Sequence, residues 1–140
     1  MTMESQRRAA ALTHIAEPSG VAPGTGYTQV VSGSGRLVAV SGQVAFDEER
    51  RLVGEGDPKA QARQVFENLR RCLAAAGADF SHVVKLTYFV TDMAYMPAIR
   101  EARNEALGDL PLPASSAVQV AALFLPEVLM EIEAFAVVPE

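Results

Sequence analysis

The run Met130-Glu131-Ile132-Glu133-Ala134-Phe135-Ala136-Val137, near the end of the chain, constrains the fold more than any other stretch. It reads as a strand, and Glu131 and Glu133, two residues apart, then point to one face. From Ala134 onward both faces are apolar, as they are in Leu37-Val38-Ala39-Val40. A strand that is apolar on both sides has to be covered on both sides. A second alternating stretch, Pro113-Ala114-Ser115-Ser116-Ala117-Val118-Gln119-Val120, precedes it across a loop.

The rest of the chain supplies little to do that covering. Asp57-Pro58 is a helix start, because Asp57 can cap the first free amides and Pro58 suits the first helical position. Ala62, Val65, Phe66, Leu69, Leu73 and Ala76 follow at spacings of three and four and form one apolar stripe, which Gly77 ends. Pro97 opens a second helix running to about Leu107. Ile99, Ala102 and Ala106 give it a narrow apolar face, and Gly108 stops it. Val83 to Thr91 is rich in β-branched and aromatic residues and reads as a central strand.

Upstream, residues 1–12 read as a loose extension and residues 17–26 as a turn-rich loop. Tyr27 to Ser32 alternates as a strand. Gly33-Ser34-Gly35 reads as a hairpin turn into a strand over Arg36 to Ser41. Gly42 lets the backbone bend or approach another group, Gln43 to Phe46 continues extended, and Asp47 to Arg51 is a charged turn. The final strands are expected over about 115–122 and 128–138. The order β-β-(β)-α-β-α-β-β predicts an α+β domain with two helices on one face of a mixed sheet of about six strands. The other face would stay apolar and open in a monomer, so an oligomer is expected.

Composition excludes several functions. The 140 residues are enough for one domain with a core. No apolar run is long enough to span a bilayer, and Met1 to Leu12 is too broken for a secretory leader, so a cytoplasmic protein is expected. A net charge of −5 argues against nucleic-acid partners. One cysteine, Cys72, allows no intrachain disulfide, and two histidines, His14 and His82, make a metal site unexpected. Cys72 lies beside the first helix stripe and reads as a small core residue rather than a nucleophile.

Short pieces in order then add a resemblance. They are Gly26-Tyr27, Ser41-Gly42-Gln43, Gln61-Ala62-Arg63-Gln64-Val65-Phe66-Glu67-Asn68-Leu69, Ala75-Ala76-Gly77, Val83-Val84-Lys85-Leu86-Thr87 with Phe89-Val90, Asp92-Met93 and Glu131-Ile132-Glu133-Ala134. Together these resemble the Rid/YjgF family of reactive-intermediate imine deaminases, from about Gly26 to the end. The resemblance implies a chorismate-mutase-like fold over residues 17–140 behind an extension over 1–16. It also implies a homotrimer with a small-molecule cleft at each subunit interface, and no cofactor.

The same resemblance places the cleft residues at Tyr27, Ser41, Gly42, Ser115, Ala117, Arg100 and Glu131. Glu131 would handle the attacking water. Glu133 reads as structural or at the rim. Where the family carries a carboxylate-clamping arginine, this chain has Ser115, and where it often carries cysteine, Ala117. Serine has no charge and cannot make the two-pronged contact. The family's cleft asparagine falls at about Arg100, so Arg100 or Arg103 reads either as a replacement clamp or as an exposed helix arginine paired with Glu101, Glu105 or solvent. Phe124 and Leu125 read either as an apolar lip or as packing between subunits. The implied activity is a diverged hydrolase of imines, enamines or related compounds, not specialised for standard 2-imino acids. A non-catalytic binding or regulatory trimer is the alternative, and an endoribonuclease ranks third.

Overall fold

A computed structural model describes residues 12–140. The strands are β1 (Leu12–Ile15), β2 (Val30–Gly33), β3 (Arg36–Gln43), β4 (Val83–Val90), β5 (Ala114–Gln119) and β6 (Met130–Val138). The helices are α1 (Pro58–Ala75) and α2 (Met96–Leu107), with single 3-10 turns at Phe80–His82 and Met93–Tyr95. Four strands form a mixed sheet in the order β3-β6-β4-β5, antiparallel except for the parallel β4–β5 pair. This is the α+β architecture expected, with both helices on one face.

Helix α1 begins as its sequence dictates. The Asp57 carboxylate accepts from the Ala60 amide at 3.1 Å, and Pro58 occupies the first turn. Its stripe of Ala62, Val65, Phe66, Leu69 and Leu73 is buried, and these residues share one core with Ile99 and Ala102 of α2 and the inward residues of the sheet. On β6 those are Met130, Ile132, Ala134 and Ala136, and on β4 Leu86, Tyr88 and Val90. Cys72 packs half-buried against this core. On α2 the buried stripe is Met96, Ile99, Ala102, Arg103 and Leu107, whereas Ala106 is exposed.

Two expectations are corrected. The hairpin between β2 and β3 does not form: β2 pairs with β1, and β3 with β6. Gly35 (φ 146°) turns the chain between the two sheets, and a side chain there would strike the Val138 carbonyl. Residues 1–11 lie outside the described residues, and Leu12–Ile15, within the span expected as an extension ahead of the domain, forms β1. The strand expected from Tyr27 begins only at Val30, because Thr28 is drawn towards β5 instead. Its hydroxyl donates to the Leu112 carbonyl at 2.6 Å and its amide to the Pro113 carbonyl at 3.2 Å.

The sheet face away from the helices is open. Leu37 is 67% exposed, Val118 42% and Phe135 37%. Registry puts Phe135 beside Ala39, and Glu131 beside Phe89, on this face. Phe124 is also exposed and meets Phe46 edge to face, 5.7 Å between ring centres. No helix among the described residues is long and apolar enough to cross a membrane.

Candidate functional site

The residues singled out by sequence gather in two places. The first is a cleft of about 130 Å³ between α2, the end of β4, the edge strand β5 and the loop before β2. Tyr27, Arg100, Ser115 and Ala117 line it, together with Thr25, Gly26, Tyr88, Met96 and Arg103. The second lies on the open sheet face, where Glu131 of β6 packs on Gly42 of β3. A Cβ at Gly42 would stand 2.6 Å from the Glu131 carboxyl carbon, so only glycine leaves the carboxylate its place. Ser41 follows buried Val40 and is exposed, which puts it on this same face. Glu133, two residues beyond Glu131, shares the face opposite Thr87.

Each place is held by polar struts. The cleft loop is pinned from two sides. Thr28 ties it to the segment entering β5, and Arg103 Nη1 of α2 donates to the Gly26 carbonyl at 2.7 Å. The Arg103 Nε and Nη2 groups also reach Asn104 Oδ1, at 3.3 and 3.1 Å. Arg103 is only 7% exposed, so it is a buried strut and not the surface arginine that sequence allowed. The Glu131 side depends on Gln61 and Asn68 of α1. Buried Gln61 donates to the Gly54 and Glu127 carbonyls at 3.1 and 2.9 Å and accepts from the Leu129 amide at 3.0 Å. It thereby sets the entry to β6. The Asn68 amide donates to the Val44 and Phe46 carbonyls at 3.0 and 2.9 Å, fixing the chain just after Gly42.

The cleft holds unspent polar capacity. The Tyr88 hydroxyl is buried beside the Arg103 guanidinium but makes no hydrogen bond of good geometry. Burial pushes its pKa up, while the Arg103 guanidinium beside it pulls the other way. Arg100 is exposed, and the carboxylates that sequence offered it are engaged elsewhere. Glu101 pairs with Lys59 at 3.0 Å and Glu105 with Arg63 at 2.9 Å. The Arg63 hydrogen bonds hold the Glu105 carboxyl below its ordinary pKa.

A larger groove, about 530 Å³, runs from Gly42 past Phe46 and Asp47 to Glu67, Arg71 and Cys72. Several of its charges are paired. Asp47 pairs with Arg51, and Glu67 with Arg70 and Arg71, whose guanidinium groups pull the Glu67 pKa down to about 2. Asn68 is also bonded, while Glu48 and Arg50 line the groove with no ion pair among the described residues. Among the described residues no cluster of His, Cys, Asp and Glu could hold a metal.

The family model described as Endoribonuclease L-PSP matches residues 18–138. This chain belongs to the Rid/YjgF family. A Rid-family structure, YyfB of Yersinia pestis, superposes with a TM-score of 0.81 at 35% identity, covering 91% of this chain and 98% of that one. Protein DfrA of Myxococcus xanthus is 39% identical over 76% of this chain and 79% of its own length. The mouse 2-iminobutanoate/2-iminopropanoate deaminase is 37% identical over 76% of this chain and 75% of its own. Within this Rid/YjgF fold, sequence reasoning missed Tyr88, the struts Gln61 and Asn68, and the strut role of Arg103. Two of these carried a signal. Gln61 continues the four-residue spacing of Val65, Leu69 and Leu73, and Arg103 stands midway between Ile99 and Leu107. A polar residue on an apolar stripe marks a buried group that needs partners.

Proposed function

We propose that the protein is a homotrimer whose interfacial clefts bind a small organic molecule and hydrolyse an imine or enamine bond. The observation that carries this reading is the division of the candidate residues between two faces of one sheet. Tyr27, Ser115, Ala117 and Arg100 lie on the helix side, and Ser41, Gly42 and Glu131 on the open side. A second copy whose cleft edge packs on the open face covers the apolar residues there and brings its cleft beside the Glu131 of that face. The name of the mouse relative, a deaminase of 2-imino acids, supports the same chemistry.

In that arrangement the Glu131 carboxylate takes a proton from water as the oxygen attacks the carbon of the C=N bond. The nitrogen accepts that proton to give a carbinolamine; Glu131 then carries the hydroxyl proton to the nitrogen, the C–N bond breaks, ammonia leaves and the carbonyl forms. Backbone amides of β5 near Ser115 to Ala117 hold the developing oxygen, since β5 is an edge strand. Tyr27 and Ser41 orient the ligand.

The test is ammonia release from generated imines, a standard 2-imino acid and a longer analogue, by wild type and by Glu131→Gln. The molar mass of each is measured alongside. Hydrolysis should fall about 10²- to 10⁴-fold in the variant with the trimer intact. No release above the spontaneous rate by wild type would sink the hydrolase reading. Ser115, where the family carries its clamp, favours a second reading, a trimer that binds its ligand without turnover. Endoribonuclease activity fits least with an acidic chain.

A further inference from the structure

We propose that Arg100 and Tyr88 form the anion-binding pair of the cleft, and that the ligand carries a carboxylate received from the α2 side rather than from β5. The inference rests on the reading of this cleft as the ligand site, but not on any turnover there. Four observations carry it. Two guanidinium groups and no carboxylate line the cleft among the described residues, in a chain whose net charge is −5. Arg103 is spent on Gly26 and Asn104, which leaves Arg100 as the cation available to a ligand. Glu101 and Glu105 are held by Lys59 and Arg63, and no ion pair to Arg100 occurs among the described residues.

The fourth observation is the Tyr88 hydroxyl, on a residue only 3% exposed, which lines the cleft without a partner. A buried hydroxyl of this kind costs free energy unless something bonds to it. A carboxylate oxygen that accepts from Tyr88 while the Arg100 fork holds the anion would remove that cost. A planar carboxylate matches the guanidinium fork and suits so small a space. Ser115 then needs no charge, because the charge comes from another element. The carboxylate would also sit differently relative to the reacting carbon, so the preferred ligand would differ in shape from one clamped on β5.

Propanoate and its neutral counterpart propanamide separate charge recognition from shape, with binding followed by amide chemical shifts on the intact protein. Wild type should bind propanoate at least about tenfold more tightly than propanamide. Arg100→Gln should lose about tenfold to a hundredfold for the acid and little for the amide, and Arg100→Lys should recover part of it. Tyr88→Phe should lose about threefold to tenfold. Equal binding of acid and amide, failure of the acid to bind, or an unchanged Arg100→Gln overturns the proposal. Acid binding that depends on Arg100, in a protein that hydrolyses no imine, would leave this inference standing and remove only the hydrolytic reading. Hydrolysis indifferent to Arg100→Gln would do the reverse.

Discussion

The two halves of the site differ in how far their polar groups are satisfied. Around Glu131 the supporting groups are fully engaged: Gln61 makes three hydrogen bonds, Asn68 donates twice, and Gly42 leaves space only for the carboxylate. In the α2 cleft the loop is pinned just as firmly, yet the groups facing inward, Arg100 and the Tyr88 hydroxyl, have no partner among the described residues. One half is built to hold a residue still, and the other to receive something. The contrast separates structural polar groups from recognition groups.

Substitutions can break or sharpen that contrast. The largest effect should come from Gln61→Ala, which strips the Gly54 and Glu127 carbonyls and the Leu129 amide of partners and leaves a void. A loss of about 2–4 kcal/mol in urea unfolding is expected, and a loss under about 1 kcal/mol would mean that the entry to β6 holds itself. Gly42→Ala comes next, through position rather than stability. The added methyl displaces the end of a flexible side chain, so the melting temperature should barely move while imine hydrolysis falls about tenfold or more. Unchanged turnover would show that Glu131 does not need that seat.

Tyr88→Phe should do to stability the opposite of Gln61→Ala. Removing a buried hydroxyl with no partner should leave the unbound protein unchanged or up to about 1 kcal/mol more stable. A clear loss would reveal a partner in the assembled protein. The smallest effect belongs to Glu67. Its carboxyl is lowered from 4.5 to about 2, chiefly by its hydrogen bonds from Arg70, so its contribution is present above pH 4.5 and disappears as the pH falls towards 2. The side chain is 38% exposed, so solvent screening keeps the contribution below about 1 kcal/mol. Thermal unfolding of wild type and Glu67→Gln should differ slightly near neutrality and converge in acid.

Much of the fold was legible because local signals and global packing agree. The Asp57 cap, the α1 stripe and the β6 alternation each point to what forms. What escaped was pairing. Gly33-Ser34-Gly35 carries the letters of a hairpin, but β3 finds its partner almost a hundred residues later in β6, and nothing local encodes that choice. Strand β1 is four residues long, too short for an alternation to register. For the site, the sequence resemblance brought forward Tyr27, Arg100, Ser115 and Ala117, and the fold places them around one cleft. It could not decide between a free and a paired Arg100, because the competing carboxylates, Glu101 and Glu105, are claimed across the helix pair by Lys59 and Arg63. Tyr88 reads as one more β-strand aromatic, since burial without a partner is visible only in three dimensions.

The double fastening of the Tyr27 loop, by Thr28 to the approach of β5 and by Arg103 to α2, has a consequence for how such a protein changes over time. The fasteners are different residues from those that face the ligand. Positions 100, 115 and 117 can therefore be rewritten without loosening the rim around them. A charge can leave one wall and reappear on another in separate tolerated steps, and the same cup can be refitted for a new guest while the vessel keeps its shape.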